Sequence, residues 1–198
     1  IGRNLEERYS RLQADDSLQQ YLEAQQVVSI YGVDTRALVA HIRNCGAMNC
    51  VISSETTDLQ VLKTRLSQTP SMKGLELASV VSTKEVYETG NPHSRYRVAV
   101  FDYGVKKNIL NCLTERGAYV RVYPAKTALQ EIEDFNPHGY FMSNGPGDPA
   151  PMEYAVQTIR EILQKEKPLF GICLGHQLLA MANGIPTFKM HHGHRGLN

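Results

Sequence analysis

From residue 96 onward the chain alternates short apolar runs with stretches of helical spacing, and this alternation restricts its fold more than any other feature. Residues 96–101 form an unbroken β-prone run, the kind that a strand buried on both faces requires. Ile109, Leu110 and Leu113 then recur at helical spacing within 108–116, and Gly117 closes that helix. Residues 119–123, 140–142 and 169–172 read as further strands, with helices near 129–132, 155–165 and 178–182. Strands alternating with helices predict an α/β fold: a parallel sheet with helices on both faces. Ligands of such sheets sit beyond the carboxyl ends of the strands.

The first part has a different rhythm. Ser17 and Gln20 make a capping-box pattern ahead of Tyr21 and Leu22. Residues 27–30 are a short β-prone run. Asp34 or Thr35 caps a predicted helix over 36–43, which Gly46 stops. Residues 49–52 read as a strand, and Asp58 starts a helical stretch with Leu59, Leu62 and Leu66 on one side. From 67 to about 95 the pattern weakens, and 89–94 is rich in turn residues. The expected organisation is a smaller mixed α/β part with a linker over 1–90, then a sheet domain over 96–198.

Composition narrows the partners. The 198 residues are 42% hydrophobic and 21% charged, with a formal net charge of +1. That balance carries no nucleic-acid or anionic-membrane footprint. No apolar run approaches the roughly 18 residues that a membrane span needs. Neither the spacing of the four cysteines nor that of the histidines makes a zinc pattern, and reduced thiols in a cytoplasmic protein are expected. The chain opens with Ile1 rather than Met, and a fragment or a processed product is expected.

Gly171-Ile172-Cys173-Leu174-Gly175 places a cysteine where a strand turns sharply into a helix. Flanking glycines let the backbone bend and let other segments approach. Such a turn exposes a nucleophile, and the N–H of the next residue can stabilise an oxyanion. The helix N-terminus behind the sulfur favours the thiolate. Alone, the motif fits a buried cysteine in a tight connection equally well. Ser143-Asn144-Gly145-Pro146-Gly147-Asp148-Pro149 also follows a strand, and its glycines offer bare amides for a second oxyanion donor. Gly-Pro-Gly is common in plain turns. Two such loops at neighbouring strand ends favour a site. Cys45, Cys50 and Cys112 lack this context and read as packing residues.

Here the chain resembles the class I glutamine amidotransferases, in which a Gly-x-Cys-x-Gly cysteine attacks the side-chain amide of glutamine. With 101–109 (FDYGVKKNI), 32–38 (GVDTRAL) and 42–52 (IRNCGAMNCVI) added, it is most similar to the family of small, glutamine-hydrolysing subunits of carbamoyl-phosphate synthetase. The resemblance implies that Cys173 forms a glutamyl thioester, that ammonia leaves, and that water then releases glutamate. It implies that the backbone amides of Gly145 and Leu174 form the oxyanion hole, and that Gly147 and Gln177 contact L-glutamine. It further implies a large partner subunit that takes the ammonia and uses ATP, Mg²⁺ and bicarbonate to make carbamoyl phosphate for pyrimidine and arginine synthesis. No cofactor is expected on this chain, which carries no Walker-type phosphate loop.

The family's base is a His-x-Glu pair after the cysteine, His acting as base and Glu orienting it. None of the seven histidines here (His41, His93, His138, His176, His191, His192 and His194) has Glu two residues later. His176 matches a family histidine that is not the base. The expectation is therefore a truncated chain that hydrolyses glutamine poorly alone. His191, His192 and His194 invite a zinc reading, but adjacent histidines point apart on regular structure, and no metal site is expected. Lys106 and Lys107 read as an exposed helix start, Asp34 as a cap, and Tyr96, Phe101 and Phe170 as sheet core. Two other readings stay open: a different class I amidotransferase subunit, similar to an anthranilate synthase component, and a docking module without chemistry.

Overall fold

The computed structural model describes residues 1–5 and 16–193. The chain divides into two compact units, 1–71 with 190–198 and 72–189.

In the first unit, local capping chemistry decides where helices begin. The Ser17 hydroxyl and the Gln20 side chain form the reciprocal capping box of α1 (Leu18–Ala24). The Asp34 carboxylate accepts the N–H groups of Arg36 and Ala37 at the start of α2 (Thr35–Cys45). Gly46, at φ 89°, ends that helix. Asp58 likewise caps α3 (Leu59–Gln68). None of the three helices contains a buried residue. Residues 27–30 and 49–52 are not strands, contrary to expectation. Ile30 O accepts the Gly2 N–H at 2.9 Å, and among the described residues neither stretch joins a ladder. β-propensity without a ladder partner leaves the backbone groups unpaired, so it does not make a strand.

The second unit starts with a short helix, α4 (Ala78–Val81), and holds a five-stranded sheet. Its strands are β1 (Tyr87–Thr89), β2 (Tyr96–Asp102), β3 (Ala118–Pro124), β4 (Gly139–Met142) and β5 (Leu169–Gly171). The spatial order is β1-β3-β2-β4-β5, all parallel except the antiparallel β1 edge. The connecting helices are α5 (Lys107–Glu115), α6 (Leu129–Glu133) and α7 (Glu153–Gln164), and α8 (Leu174–Ala182) follows β5. Residues 72–90, assigned from the sequence to the first part and its linker, pack with the sheet, because β1 pairs with β3 in register Tyr87 with Val122. The turn-rich stretch 89–94 begins at the last residue of β1 and leads toward β2.

Alternation along the strands sorts the core into two layers. Ala99, Phe101, Tyr123, Tyr140 and Met142 face α6, α7 and α8 through Ile132, Ile159, Ile162 and Leu178. Val100, Val120, Val122 and Phe141 face α5 through Leu110. Helices thus cover both faces, as expected. From β2 the chain steps outward to β3 and then crosses back to β4, so the order reverses at β2 and β4. Ligands of doubly wound sheets bind beyond the carboxyl ends of the strands at such a reversal.

Two of the predicted core aromatics lie elsewhere. Phe101 is 1% exposed, but Tyr96 is 48% and Phe170 62% exposed. Tyr96 is the first residue of β2, beyond the helical cover. Phe170 lies on β5, at the end of the strand order, beside Phe141 with ring centroids 5.9 Å apart.

Candidate functional site

Three loops leave the carboxyl ends of adjacent strands. Register pairs Phe101 of β2 with Met142 of β4, and Met142 with Gly171 of β5. The turns 103–106, 143–149 and 172–173 therefore emerge side by side.

Cys173 is the hinge of the third turn. It is the N-cap of α8, with φ 51° and ψ −108°, and it is exposed. A non-glycine residue held there costs about 1–3 kcal/mol and persists only where its surroundings impose it. The surroundings here are the two flanking glycines. A Cβ on Gly171 would lie 2.6 Å from the Gly175 carbonyl carbon and oxygen, and one on Gly175 would lie 2.2 Å from Met142 O. The N–H of Ile172 donates to Met142 O at 3.1 Å, and that of Gly175 donates to Ser143 O at 3.1 Å. The elbow is thus bonded to the start of the second loop. Gln177 donates its N–H to Cys173 O at 3.0 Å and stands one helical turn on, so both share a face of α8. His176 and Gln177 are exposed, while Leu174 is buried.

The second loop is held from the first. The buried Ser143 hydroxyl accepts the Tyr103 N–H at 2.8 Å. Asn144 bridges the two loops, accepting the Lys106 N–H at 3.2 Å and donating to Gly104 O at 2.9 Å. A Cβ on Gly145 would lie 2.0 Å from Tyr103 O, so the loops touch through backbone alone. Asp102, at the end of β2, accepts the N–H groups of Gly104 and Val105 at 2.8 and 2.7 Å and fixes the first loop. Among the described residues the amides of Gly145, Gly147 and Leu174 have no protein acceptor. The arrangement combines an exposed thiol on a strained elbow with free N–H donors on the same strand ends. Chemically it can attack a carbonyl carbon and hold the oxyanion that forms.

Asp148 accepts the N–H groups of Gly74 at 2.8 Å and Ala150 at 2.9 Å, and these two bonds hold its carboxyl below the usual carboxylate range. Burial pushes the Glu76 carboxyl up, but the Ser79 hydroxyl and N–H and the Tyr154 hydroxyl outweigh it, and the net shift is downward. Burial pushes the Tyr103 phenol up. Sequence reasoning assigned no role to Ser143, Asn144, Asp148 or the stretch 72–83. Their partners lie tens of residues away, and only the adjacency of the quoted motifs hinted at them.

The remaining cysteines are free thiols but are not packed inside: Cys45 and Cys50 are exposed and Cys112 is half-buried. The first-unit helices have no buried face to receive them, and Cys45 Sγ lies 3.8 Å from His41 Nδ1. Lys106 precedes α5 as its exposed N-cap. His191 stands near Gly46, which ends α2, and the His191 and His192 rings lie 5.7 Å apart; His194 lies outside the described residues. Among the described residues no three His, Cys, Asp or Glu side chains converge as metal ligands, and no helix is long and apolar enough to cross a membrane.

Comparison with known proteins finds relatives for both parts of the chain. The family model "Glutamine amidotransferase class-I" matches residues 99–198, and "Carbamoyl-phosphate synthase small chain, CPSase domain" matches residues 1–52. A carbamoyl phosphate synthase small chain of Synechococcus sp. is 45% identical over all of this chain and 54% of its own length. One from Pseudomonas putida is 48% identical over 92% of this chain and 52% of its own length. One from Synechocystis sp. is 43% identical over all of this chain and 56% of its own length. The chain spans about half the length of the curated relatives it matches.

Proposed function

The chain belongs to the class I glutamine amidotransferase family, and from that premise we propose that it is part of a carbamoyl-phosphate synthase small chain that takes glutamine at Cys173. The thiolate adds to the side-chain amide carbon, and the negative oxygen sits on the N–H groups of Gly145 and Leu174. Loss of ammonia leaves a glutamyl thioester, which water cleaves to glutamate. Gly147 and Gln177 contact the bound glutamine. The observation that carries this reading is the strained, exposed Cys173 elbow bonded through Gly175 to the loop with free amides. The match of residues 1–52 supports the synthase over other amidotransferases.

The partner is a large subunit that receives the ammonia, and ATP, Mg²⁺ and bicarbonate belong to it. The product is carbamoyl phosphate, for pyrimidine and arginine synthesis in the cytoplasm. No His-x-Glu pair stands among these 198 residues, so we expect little ammonia release from them alone. A test independent of that base is alkylation. A glutamine-shaped chloroketone should label Cys173 ahead of the other cysteines, with L-glutamine protecting it. Equal labelling of all four cysteines without protection would reject the reading.

A further inference from the structure

We propose that Asp148 is a positioning residue, which clasps the strap 72–83 onto the Gly-Pro-Gly loop and so sets the aim of the Gly147 amide. This rests on the glutamine-site reading above. The strap runs along the carboxyl ends of the strands. At its start the Gly74 N–H donates to Asp148 Oδ2 at 2.8 Å, and the Asp148 N–H donates to Leu75 O at 2.9 Å. Further on, the Tyr154 hydroxyl donates to Glu76 Oε1 at 3.1 Å and the Ala125 N–H to Ser82 Oγ at 2.9 Å. At its end the Thr83 N–H donates to Asp102 Oδ2 at 2.7 Å. The strap therefore ties the loop after β4 to the turns after β3 and β2.

Gly147 sits under the clasp. Its φ is 102°, and a Cβ there would lie 2.8 Å from Leu75 O and 3.0 Å from Leu77 N. Strap backbone thus rests directly on loop backbone, and a shift of either moves the Gly147 amide. Asp148 joins them because its two oxygens take one N–H each: Oδ2 from the strap and Oδ1 from Ala150 in its own loop. Such charge-assisted bonds are stronger than neutral ones. Asparagine has one carbonyl oxygen, and its amide would meet a donor with a donor. Asp148→Asn can keep the loop turn or the strap, not both.

The test uses the 198-residue chain and two electrophiles, with Cys173 alkylation followed by mass spectrometry. The glutamine-shaped chloroketone must be recognised; the sulfur bonds to its methylene carbon and chloride leaves with the bonding pair. Iodoacetamide undergoes the same displacement without needing recognition. In Asp148→Asn the chloroketone concentration for half-maximal rate should rise about tenfold, with the iodoacetamide rate unchanged, because a misplacement of about 1 Å can cost up to 100-fold. Asp148→Ser, whose hydroxyl can keep the Ala150 turn, should behave alike and serves if the first variant does not fold. An unchanged half-saturation, or an equal fall with both reagents, overturns the proposal. If the unaltered chain shows no saturable preference for the chloroketone at Cys173, the glutamine-site reading itself fails.

Discussion

Gly175→Ala sets helix propensity against packing, and the two predict opposite signs. Gly175 is the second residue of α8. Propensity alone makes alanine more stable than glycine inside a helix by about 1 kcal/mol. The packing argument says otherwise. The new Cβ would lie 2.2 Å from Met142 O and 2.6 Å from Met142 C. A carbon and a carbonyl oxygen meet at roughly 3.3 Å, so α8 and β4 must separate by about 1 Å. Both sides are backbone, and no rotamer relieves the clash. The bond from Gly175 N–H to Ser143 O, now 3.1 Å, would be lost with that movement. Overpacking costs about 1–3 kcal/mol and the buried hydrogen bond about 1 kcal/mol. Against the propensity gain, the net is a destabilisation of about 1–3 kcal/mol. Urea unfolding of both chains reads this directly. Gly184→Ala is the control: its Cβ meets nothing within 4 Å, and the φ of 79° costs about 1 kcal/mol. A Gly175→Ala chain as stable as the original, or more so, would refute the claim that the elbow is packed backbone to backbone.

Ser143→Ala removes the acceptor of the buried Tyr103 N–H and should cost about 1–3 kcal/mol in the same urea assay; an unchanged midpoint would contradict it. Phe101→Ala, at 1% exposure, should cost about 3–5 kcal/mol. Phe170→Ala, at 62% exposure, should stay within about 1 kcal/mol, and equal losses would mean that the two faces of the sheet are covered alike. The folded Asp148 carboxyl titrates below its ordinary range because Gly74 and Ala150 donate to it. Its contribution is therefore fully present above the unfolded value of about 3.9 and is lost as pH falls through the folded value. The gap in urea midpoint between the original chain and Asp148→Asn should hold at neutral pH and narrow below about pH 4; a gap that widens there would contradict the assignment.

The parts of the fold that were legible in advance are those set by neighbouring residues. Asp34 and Asp58 start helices because their carboxylates reach N–H groups two and three residues on. The strand–helix alternation from 96 to 182 was equally readable, since burial on both faces demands unbroken apolar runs. Long-range pairing was not readable. Residues 27–30 and 49–52 have strand-like composition but no ladder partner among the described residues, while β1, with weaker composition, has one in β3. Phe170 has the type of a core residue, but among the described residues β5 ends the strand order and Phe170 is exposed. In the candidate site, Cys173 and the two glycine loops were legible because close backbone approach needs glycine at fixed spacing. The bonds that aim those loops, Asn144 to Gly104 and Asp148 to Gly74, span 40 and 74 residues and leave no local signal.

The central claim is that the carboxyl ends of β2, β4 and β5 form one glutamine site around Cys173. Titration of the ¹⁵N-labelled chain with L-glutamine, read amide by amide, tests it most directly. The account predicts that the resonances of Gly145, Gly147 and Leu174 move together and saturably, and that they keep moving in Cys173→Ser. Shifts confined to another hollow, such as that lined by Thr35, Arg36, Val39, Ala40 and Arg43 on α2, or no saturable shift at all, would contradict it.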